Sequence, residues 1–263
     1  MHVAYGLSIA TAVYPFVAAE RRRWLQRRWS RHLLDMLGLS LEISGPLLSS
    51  QGTAIQGLIV ANHISWVDVF VISSLVPATF VCKSEVRGWP LIGSLCARTG
   101  TVFLERGSKF AAQRTHQALA RRLGAGERVA IFPEGTTGEG RALLPFRAAL
   151  LQSAIDAGTH IQPLAIRYLD AQGNHATAAN YCGETSFWRS LRTVTAARGV
   201  TANITILAPV AAASKTRKEL AEQAHALIRA SLEQAAIRPG NVVDDETGSG
   251  EEEFNLAVEC QAQ

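Results

Sequence analysis

A histidine and an aspartate five residues apart are the first residues whose types and spacing indicate chemistry. His63 and Asp68 lie in the segment ANHISWVDVF (61–70), directly after the apolar run GLIV. If that run is a strand and a helix begins near Ser65, the Asp68 carboxylate comes within hydrogen-bonding distance of the imidazole. A carboxylate there fixes the tautomer and leaves the other ring nitrogen free to accept a proton from a hydroxyl. The spacing therefore predicts a general base.

This spacing alone also fits a loop histidine followed by an acid that the helix dipole favours. Three further segments follow the ends of later predicted strands. They are GTVFLERG with Arg106, IFPEGTTGEG with Glu134 and Gly135, and IQPLAIRY with Pro163. Taken singly, a surface arginine and a Pro/Gly turn account for them. Together, in this order and spacing, they are specific.

The set resembles the glycerolipid acyltransferase family, in particular the bacterial 1-acylglycerol-3-phosphate acyltransferases. NHISWVD is similar to the first block of that family, GTVFLERG to the second, FPEGTT to the third and PLAI to the fourth. CKSEVRGWPLIG (82–93) resembles the stretch that precedes the second block. The resemblance covers roughly residues 35 to 210.

The resemblance implies transfer of a fatty acyl group from acyl-coenzyme A or acyl carrier protein to the free hydroxyl of a lysolipid. His63 would deprotonate that hydroxyl while Asp68 holds the ring, and the hydroxyl oxygen would attack the thioester directly. No acyl-enzyme is required, which agrees with the absence of a recognisable nucleophile motif. No cofactor besides the donor substrate and no metal is expected.

Further residues are implied in substrate binding by their block positions: Lys83, Arg106, Glu134, Gly135, Thr136 and Pro163. Arg106 matches the position that binds the anionic head of the acceptor, a role that suits the fixed donors of a guanidinium. Glu134 would accept a hydrogen bond from a glycerol hydroxyl. Gly135 lacks a side chain and lets the substrate approach the backbone.

Thr137 departs from the family pattern, because many members have arginine at this position. Arg141 or Arg147 would have to supply the missing cation, or the acceptor would lack a phosphate. Some relatives acylate lyso-ornithine lipid, an aminolipid without phosphate. Lysophosphatidic acid is the expected acceptor, since family members vary here, and lyso-ornithine lipid is the alternative.

Apolar runs alternate with amphipathic ones along the chain, which predicts an α/β fold with a largely parallel central sheet flanked by helices. The expected strands are 39–44, 57–62, 78–83, 100–105, 128–133, 161–168 and 203–209. The expected helices are 66–76, 89–98, 108–123, 145–157 and 215–235, with Ser108 and Ser214 as N-caps of the third and fifth. The acyltransferase domain is assigned to residues 35–238.

The N-terminal segment 1–34 reads as a hydrophobic and basic membrane anchor that precedes this domain. Seventeen uncharged residues, Val3 to Ala19, are followed by six arginines between Arg21 and Arg31. The basic flank follows the apolar run, so the positive-inside tendency places the remaining chain on the cytoplasmic face of a bacterial inner membrane. The run is shorter than the roughly 20 residues of a straight crossing, and Pro15 interrupts it, so an interfacial helix and a span are both open.

Charge is unevenly distributed, since no Lys or Arg follows Arg238 while seven acidic residues do. Residues 239–263 are read as an acidic, disordered tail. The basic remainder suggests an anionic partner such as phospholipid, a phosphorylated substrate, coenzyme A or nucleic acid, and ordinary solvated surface charge also accounts for it. A binding protein without catalysis is the rival, but nucleic acid is not expected because aromatic and basic residues are not interleaved. The four cysteines are scattered without C-x-x-C pairing, so neither a zinc site nor a disulfide framework is indicated, which fits a reducing cytoplasm.

Overall fold

One mixed sheet organises the chain. The computed structural model describes residues 2–45, 48–49, 52–53, 55–104 and 109–236. The strands are β1 Leu39–Ser44, β2 Leu48–Ser49, β3 Gly52–Thr53, β4 Leu58–Ala61, β5 Thr79–Lys83, β6 Val102–Leu104, β7 Val129–Ile131, β8 His160–Leu169, β9 Val200–Ile206 and β10 Val210–Ala211. The helices are α1 His2–Ala12, α2 Ala19–Met36, α3 Asp68–Leu75, α4 Ile92–Arg98, α5 Lys109–Gly124, α6 Gln152–Asp156, α7 Phe187–Ala196 and α8 Arg217–Ala236.

Most neighbouring strands of the sheet run parallel. Within the described residues, its order is β1-β9-β8-β4-β7-β5-β6, and β10 pairs with β8. Every pair from β8 to β6 along this order is parallel. Strand β9 runs antiparallel to β8, and β1 pairs parallel to β9. A mostly parallel sheet flanked by helices is thus confirmed. The sheet is mixed because β9 enters from the opposite direction.

Helices cover both faces of the sheet, which explains why β4 is buried at every residue. Ile59 and Ala61 face one core, which also holds Leu34 of α2 and Ile72 of α3. Leu58 and Val60 face the other core, with side chains of α5, α6 and α8. A strand enclosed in this way is a rigid support for the residues that follow it.

The N-terminal segment forms two helices, the first from the apolar run and the second from the basic stretch that follows it. Helix α1 ends at Ala12, a short turn containing Pro15 follows, and α2 begins at Ala19. Gly6 lets α1 pack closely on α2, because a Cβ there would lie 2.6 Å from Nε1 of Trp29. In the described part of the chain, no helix is both long and apolar enough to cross a membrane.

Several sequence predictions differ from the structure in detail. The helix predicted at 145–157 is a 3-10 turn, Ala148–Leu151, followed by the short α6, and α7 was not predicted. Ser214 was wrong as an N-cap: it has a φ of +60°, and Thr216 caps α8 instead. The Glu219 backbone N–H donates to Thr216 Oγ1 at 3.2 Å, and the Thr216 N–H donates back to the Glu219 carboxylate at 2.7 Å. Ser108 and the 239–263 segment lie outside the described residues.

Candidate active site

Parallel strand order brings three of the predicted site residues to one edge of the sheet. Strands β4, β7 and β5 are consecutive neighbours and run the same way. His63 follows the end of β4, Glu134 follows β7, and Lys83 ends β5. The carboxyl ends of parallel strands are where open α/β sheets place their ligand sites. Arg106 lies outside the described residues.

His63 and Asp68 form a hydrogen-bonded pair. Nδ1 of His63 lies 2.8 Å from Oδ2 of Asp68, which sits at the first residue of α3. The His63 side chain is 19% exposed, whereas that of Asp68 is completely buried. Because Nδ1 faces the carboxylate, Nε2 is the nitrogen that can meet a substrate hydroxyl. The spacing argument therefore predicted the contact correctly.

Asp68 is held by more than the imidazole. Its Oδ2 also accepts from the backbone N–H groups of Ile64 at 2.7 Å and Ser65 at 2.9 Å. Its Oδ1 accepts from the hydroxyl of Tyr168 at 2.6 Å. A buried carboxylate is costly unless donors surround it, and these bonds supply them. Burial, and then the charge of Asp68, hold the pKa of Tyr168 well above its usual range, so the phenol remains a donor.

Glu134 braces the backbone on which His63 sits. Its Oε1 accepts from the His63 backbone N–H at 2.6 Å, and its Oε2 from the Leu144 N–H at 3.0 Å. Burial raises the pKa of Glu134 to about 7, the charge of Asp68 adds to the rise, and the two backbone bonds oppose it. Both carboxylate oxygens thus bind protein backbone. The expected bond to a glycerol hydroxyl stays a prediction.

The His63 ring and the residues after it are fixed from several sides. The imidazole stacks on Phe132, with ring centroids 3.9 Å apart and planes 8° apart. The carbonyl of His63 accepts from the N–H of Gly138 at 2.8 Å, and that of Ile64 from the N–H of Tyr181 at 3.0 Å. The loop that carries His63 is therefore held by two other loops, which fixes the position of the imidazole.

The absence of a side chain at Gly135 lets the side chain of Arg147 pack against the third block. Its φ of +75° is one that glycine adopts without strain, and a Cβ there would lie 3.2 Å from Nε of Arg147. The N–H of Arg147 also donates to the Pro133 carbonyl at 2.8 Å. Arg141 lies near His175, whose pKa is lowered first by burial and second by the charge of Arg141. Of the two arginines considered as replacements at position 137, Arg147 is the one beside Gly135.

The remaining predicted residues are placed as follows. Thr136 is half-buried in the turn after Gly135, and the hydroxyl of Thr137 donates to the Tyr181 carbonyl. Pro163 is buried within β8, where it pairs in register with Val60. Substrate contacts from Lys83, Gly135, Thr136 and Pro163 stay predictions.

Two residues of the site were missed by sequence reasoning. Asn62 is buried and bridges β4 to β8, because its amide donates to the Ile166 carbonyl at 2.9 Å and accepts from the Ile166 N–H at 2.8 Å. Tyr168 reaches Asp68 from the end of β8. The signal for Asn62 was its place before His63, whereas Tyr168 lies beyond PLAI with nothing local to mark it.

Comparison with known proteins identifies the family. A family model described as Acyltransferase matches residues 48–167. A lyso-ornithine lipid O-acyltransferase from Pseudomonas aeruginosa is 36% identical over 211 residues, which cover 80% of this chain and 79% of that protein. The chain belongs to the acyltransferase family.

The relatives within the family are named for two different acceptors. A 1-acyl-sn-glycerol-3-phosphate acyltransferase from Neisseria meningitidis is 37% identical over 162 residues, or 60% of this chain. The matched region spans 62% of that relative and 61% of a second one from Neisseria gonorrhoeae. The crystal structure of the 1-acyl-sn-glycerophosphate acyltransferase PlsC from Thermotoga maritima superposes with a TM-score of 0.62 at 18% identity, covering 89% of this chain and 88% of that one. That likeness confirms the fold of this family member.

Proposed function

We propose that this protein is an O-acyltransferase that moves a fatty acyl group from a thioester donor to the free hydroxyl of a lysolipid, with His63 as general base. The observation that carries the proposal is the 2.8 Å contact between His63 Nδ1 and the buried Asp68 carboxylate, which leaves Nε2 for the acceptor. A non-catalytic binding protein would have no use for a histidine held in this way.

The reaction follows from that geometry. Nε2 of His63 accepts the hydroxyl proton as the acceptor oxygen bonds to the thioester carbonyl carbon. Asp68 stabilises the imidazolium that forms. The C–S bond then breaks, and the leaving thiolate takes the proton back from Nε2. Atoms and charge balance without a covalent enzyme intermediate.

Lysophosphatidic acid is the first candidate acceptor. Arg147 lies against Gly135, where its guanidinium supplies a cation near the third block although position 137 holds threonine. A guanidinium suits a phosphate because it donates in a fork. Arg106 is proposed as the second cation on the strength of its block alone.

Lyso-ornithine lipid is the second candidate, and two observations favour it. Position 137 holds an uncharged threonine whose hydroxyl donates to the Tyr181 carbonyl, so it offers a phosphate neither a charge nor this donor. The Pseudomonas aeruginosa relative named for this acceptor aligns over 80% of the chain, against 60% for the Neisseria meningitidis relative. Acyl-coenzyme A and acyl carrier protein are both proposed as donors.

Membrane association through the N-terminal helices is part of the proposal. Phe16, in the turn between α1 and α2, is 85% exposed, and Arg21 stacks over Trp24 at 4.2 Å on α2. Helix α1 packs against α4, which begins just after the exposed Trp89 and Leu91. Exposed aromatic and arginine side chains together suit a lipid interface. We place the protein at the cytoplasmic face of a bacterial inner membrane.

Acyl transfer by the purified full chain in detergent tests this function. Labelled acyl-coenzyme A or acyl carrier protein is offered with lysophosphatidic acid, lyso-ornithine lipid, lysophosphatidylcholine and glycerol 3-phosphate in parallel. Product from lysophosphatidic acid, lost in His63→Ala and kept in the control His116→Ala, supports the leading acceptor. Product from lyso-ornithine lipid alone would assign that lipid as the acceptor and would leave the proposed mechanism unchanged. No product from any acceptor contradicts the proposal.

A further inference from the structure

Tyr168 is a fully buried tyrosine near the end of β8, and its hydroxyl donates to the carboxylate of Asp68. The hydroxyl oxygen lies 2.6 Å from Oδ1 of Asp68, and the two residues are 100 positions apart in sequence. The other oxygen, Oδ2, is already bonded to His63 Nδ1 and to two backbone N–H groups. Tyr168 therefore donates to Oδ1, whereas the backbone of the loop donates to Oδ2.

We propose that Tyr168 is a positioning residue of the reaction: its hydroxyl orients Asp68, and through Asp68 it sets the orientation and basicity of His63. The inference rests on the general-base function proposed above. Tyr168 touches neither substrate in this scheme and acts through the pair.

Geometry supports the orienting role. A carboxylate can rotate about its Cβ–Cγ bond, which would exchange the oxygen that faces His63. The bond at Oδ1 opposes this rotation, because it comes from the side away from the loop donors. Strand β8 is a rigid source for it, since Leu164 of β8 pairs with Ala61, two residues before His63. His63, which follows β4, and Tyr168, which lies on β8, are thus held by neighbouring strands.

Electrostatics support the effect on basicity. A hydroxyl that donates to a carboxylate withdraws charge from it. Without this donor, Asp68 attracts the proton on His63 more strongly, and the pair keeps that proton to higher pH. Glu134 also interacts with Asp68, and burial raises its pKa to about 7, so its titration contributes to the acid limb of the wild type and of a Tyr168 variant alike and cancels in the difference between them. The predicted change is therefore a shift of the acid limb of activity.

Tyr168→Phe tests the role, because it removes the hydroxyl and keeps the ring. We expect kcat to fall about ten- to hundredfold, as for loss of a hydrogen bond to a charged group. We expect KM for acceptor and donor to stay within about twofold, since no binding contact is removed. The acid limb of the kcat–pH profile should move to higher pH.

A matched control separates positioning from simple support. Ser153 is also fully buried, and its hydroxyl donates to the Leu150 carbonyl at 2.6 Å in α6. Ser153→Ala should lower the unfolding midpoint without moving the pH profile. A Tyr168→Phe enzyme that loses only stability, with kcat and pH profile of the wild type, overturns the inference.

A second variant keeps the test decisive if Tyr168→Phe does not fold. Incorporation of 3-fluorotyrosine at position 168 retains the hydroxyl and makes it a stronger donor. The acid limb should then move to lower pH, opposite to the phenylalanine variant, and an unshifted limb contradicts the inference. Activity that survives in His63→Ala would instead defeat the general-base proposal, so the two failures are distinguishable.

Discussion

The carboxylate of Glu134 accepts a hydrogen bond from the backbone N–H of His63 at 2.6 Å, so the third block supports the first. Leu144 binds the other oxygen of the same carboxylate. Glu134 is therefore a brace between two loops at the end of neighbouring strands. Its burial and its partners give it a structural task that its place in a substrate-binding block did not indicate.

Replacing Glu134 by glutamine should damage both activity and stability. An amide has a single acceptor oxygen, so the N–H of His63 or of Leu144 loses its partner. Leaving one of these buried N–H groups without an acceptor costs about 1–3 kcal/mol of unfolding free energy. We expect kcat to fall as His63 is displaced, measured by acyl transfer, and the midpoint in urea to fall. Unchanged kcat would show that Glu134 does not position His63.

The pH dependence of stability offers a second test of Glu134. Burial raises the pKa of Glu134 to about 7 in the folded protein, above its ordinary value of 4.5, so protonation favours folding. Its contribution is fully present below the unfolded pKa and is lost as pH rises through about 7. The stability difference between wild type and Glu134→Gln should therefore favour the wild type more at pH 5 than at pH 8. Urea unfolding at both pH values measures it.

His63→Ala should lower kcat by about 10²- to 10⁴-fold, the usual contribution of a positioned base. Binding of lipid vesicles should stay unchanged, because His63 lies at the sheet edge and not on the N-terminal helices. Vesicle sedimentation and acyl transfer on the same preparation compare the two. Full activity in this variant would contradict the mechanism.

Arg147→Ala and Arg141→Ala form a matched pair for acceptor recognition. Arg147 lies beside Gly135, whereas Arg141 lies near His175. If Arg147 binds a phosphate, its removal should raise KM for lysophosphatidic acid about tenfold and leave KM for lyso-ornithine lipid nearly unchanged. A rise in KM for lysophosphatidic acid in Arg141→Ala instead would assign the phosphate to Arg141, which lines a cavity with Asn180 and Cys182 on either side of Tyr181. Equal effects on both acceptors would remove Arg147 from phosphate recognition.

Phe16→Ser should weaken binding to anionic vesicles. The residue is 85% exposed between α1 and α2, and transfer of an aromatic ring out of the interface costs about 1–2 kcal/mol. Trp188→Ser is a suitable control, because Trp188 is 71% exposed but lies on α7. Vesicle sedimentation at several salt concentrations measures both. Equal losses in the two variants would show that α1 and α2 are not the lipid contact.

Gly140→Ala should destabilise the site. Its φ is +80°, and a Cβ would lie 2.9 Å from both His175 and Ile64. Strain at such a backbone position costs on the order of 1–3 kcal/mol, and displacement of Ile64 disturbs the loop that carries His63. Gly158→Ala is the control, because its φ is +61° with no neighbour within 4 Å. Thermal unfolding should show the backbone strain that both variants share. A fall in kcat should appear in Gly140→Ala alone, because only that variant clashes with Ile64.

The sequence by itself determined the local features. The alternation of apolar and amphipathic runs gave the central strands, since a parallel strand buried on both faces must be continuously apolar. Spacing gave the contact between His63 and Asp68, because a turn into a helix brings residues five apart together. The order of the blocks gave the family.

Only the tertiary structure decided the contacts across the sheet. The Tyr168–Asp68 and Glu134–His63 bonds join residues 100 and 71 positions apart, and the antiparallel entry of β9 beside β8 has no local signal. Such contacts depend on strand order and direction, which alternation leaves open because each strand reads alike in either orientation. The candidate catalytic residues were therefore identifiable from the sequence, whereas the residues that hold them in place depended on the fold.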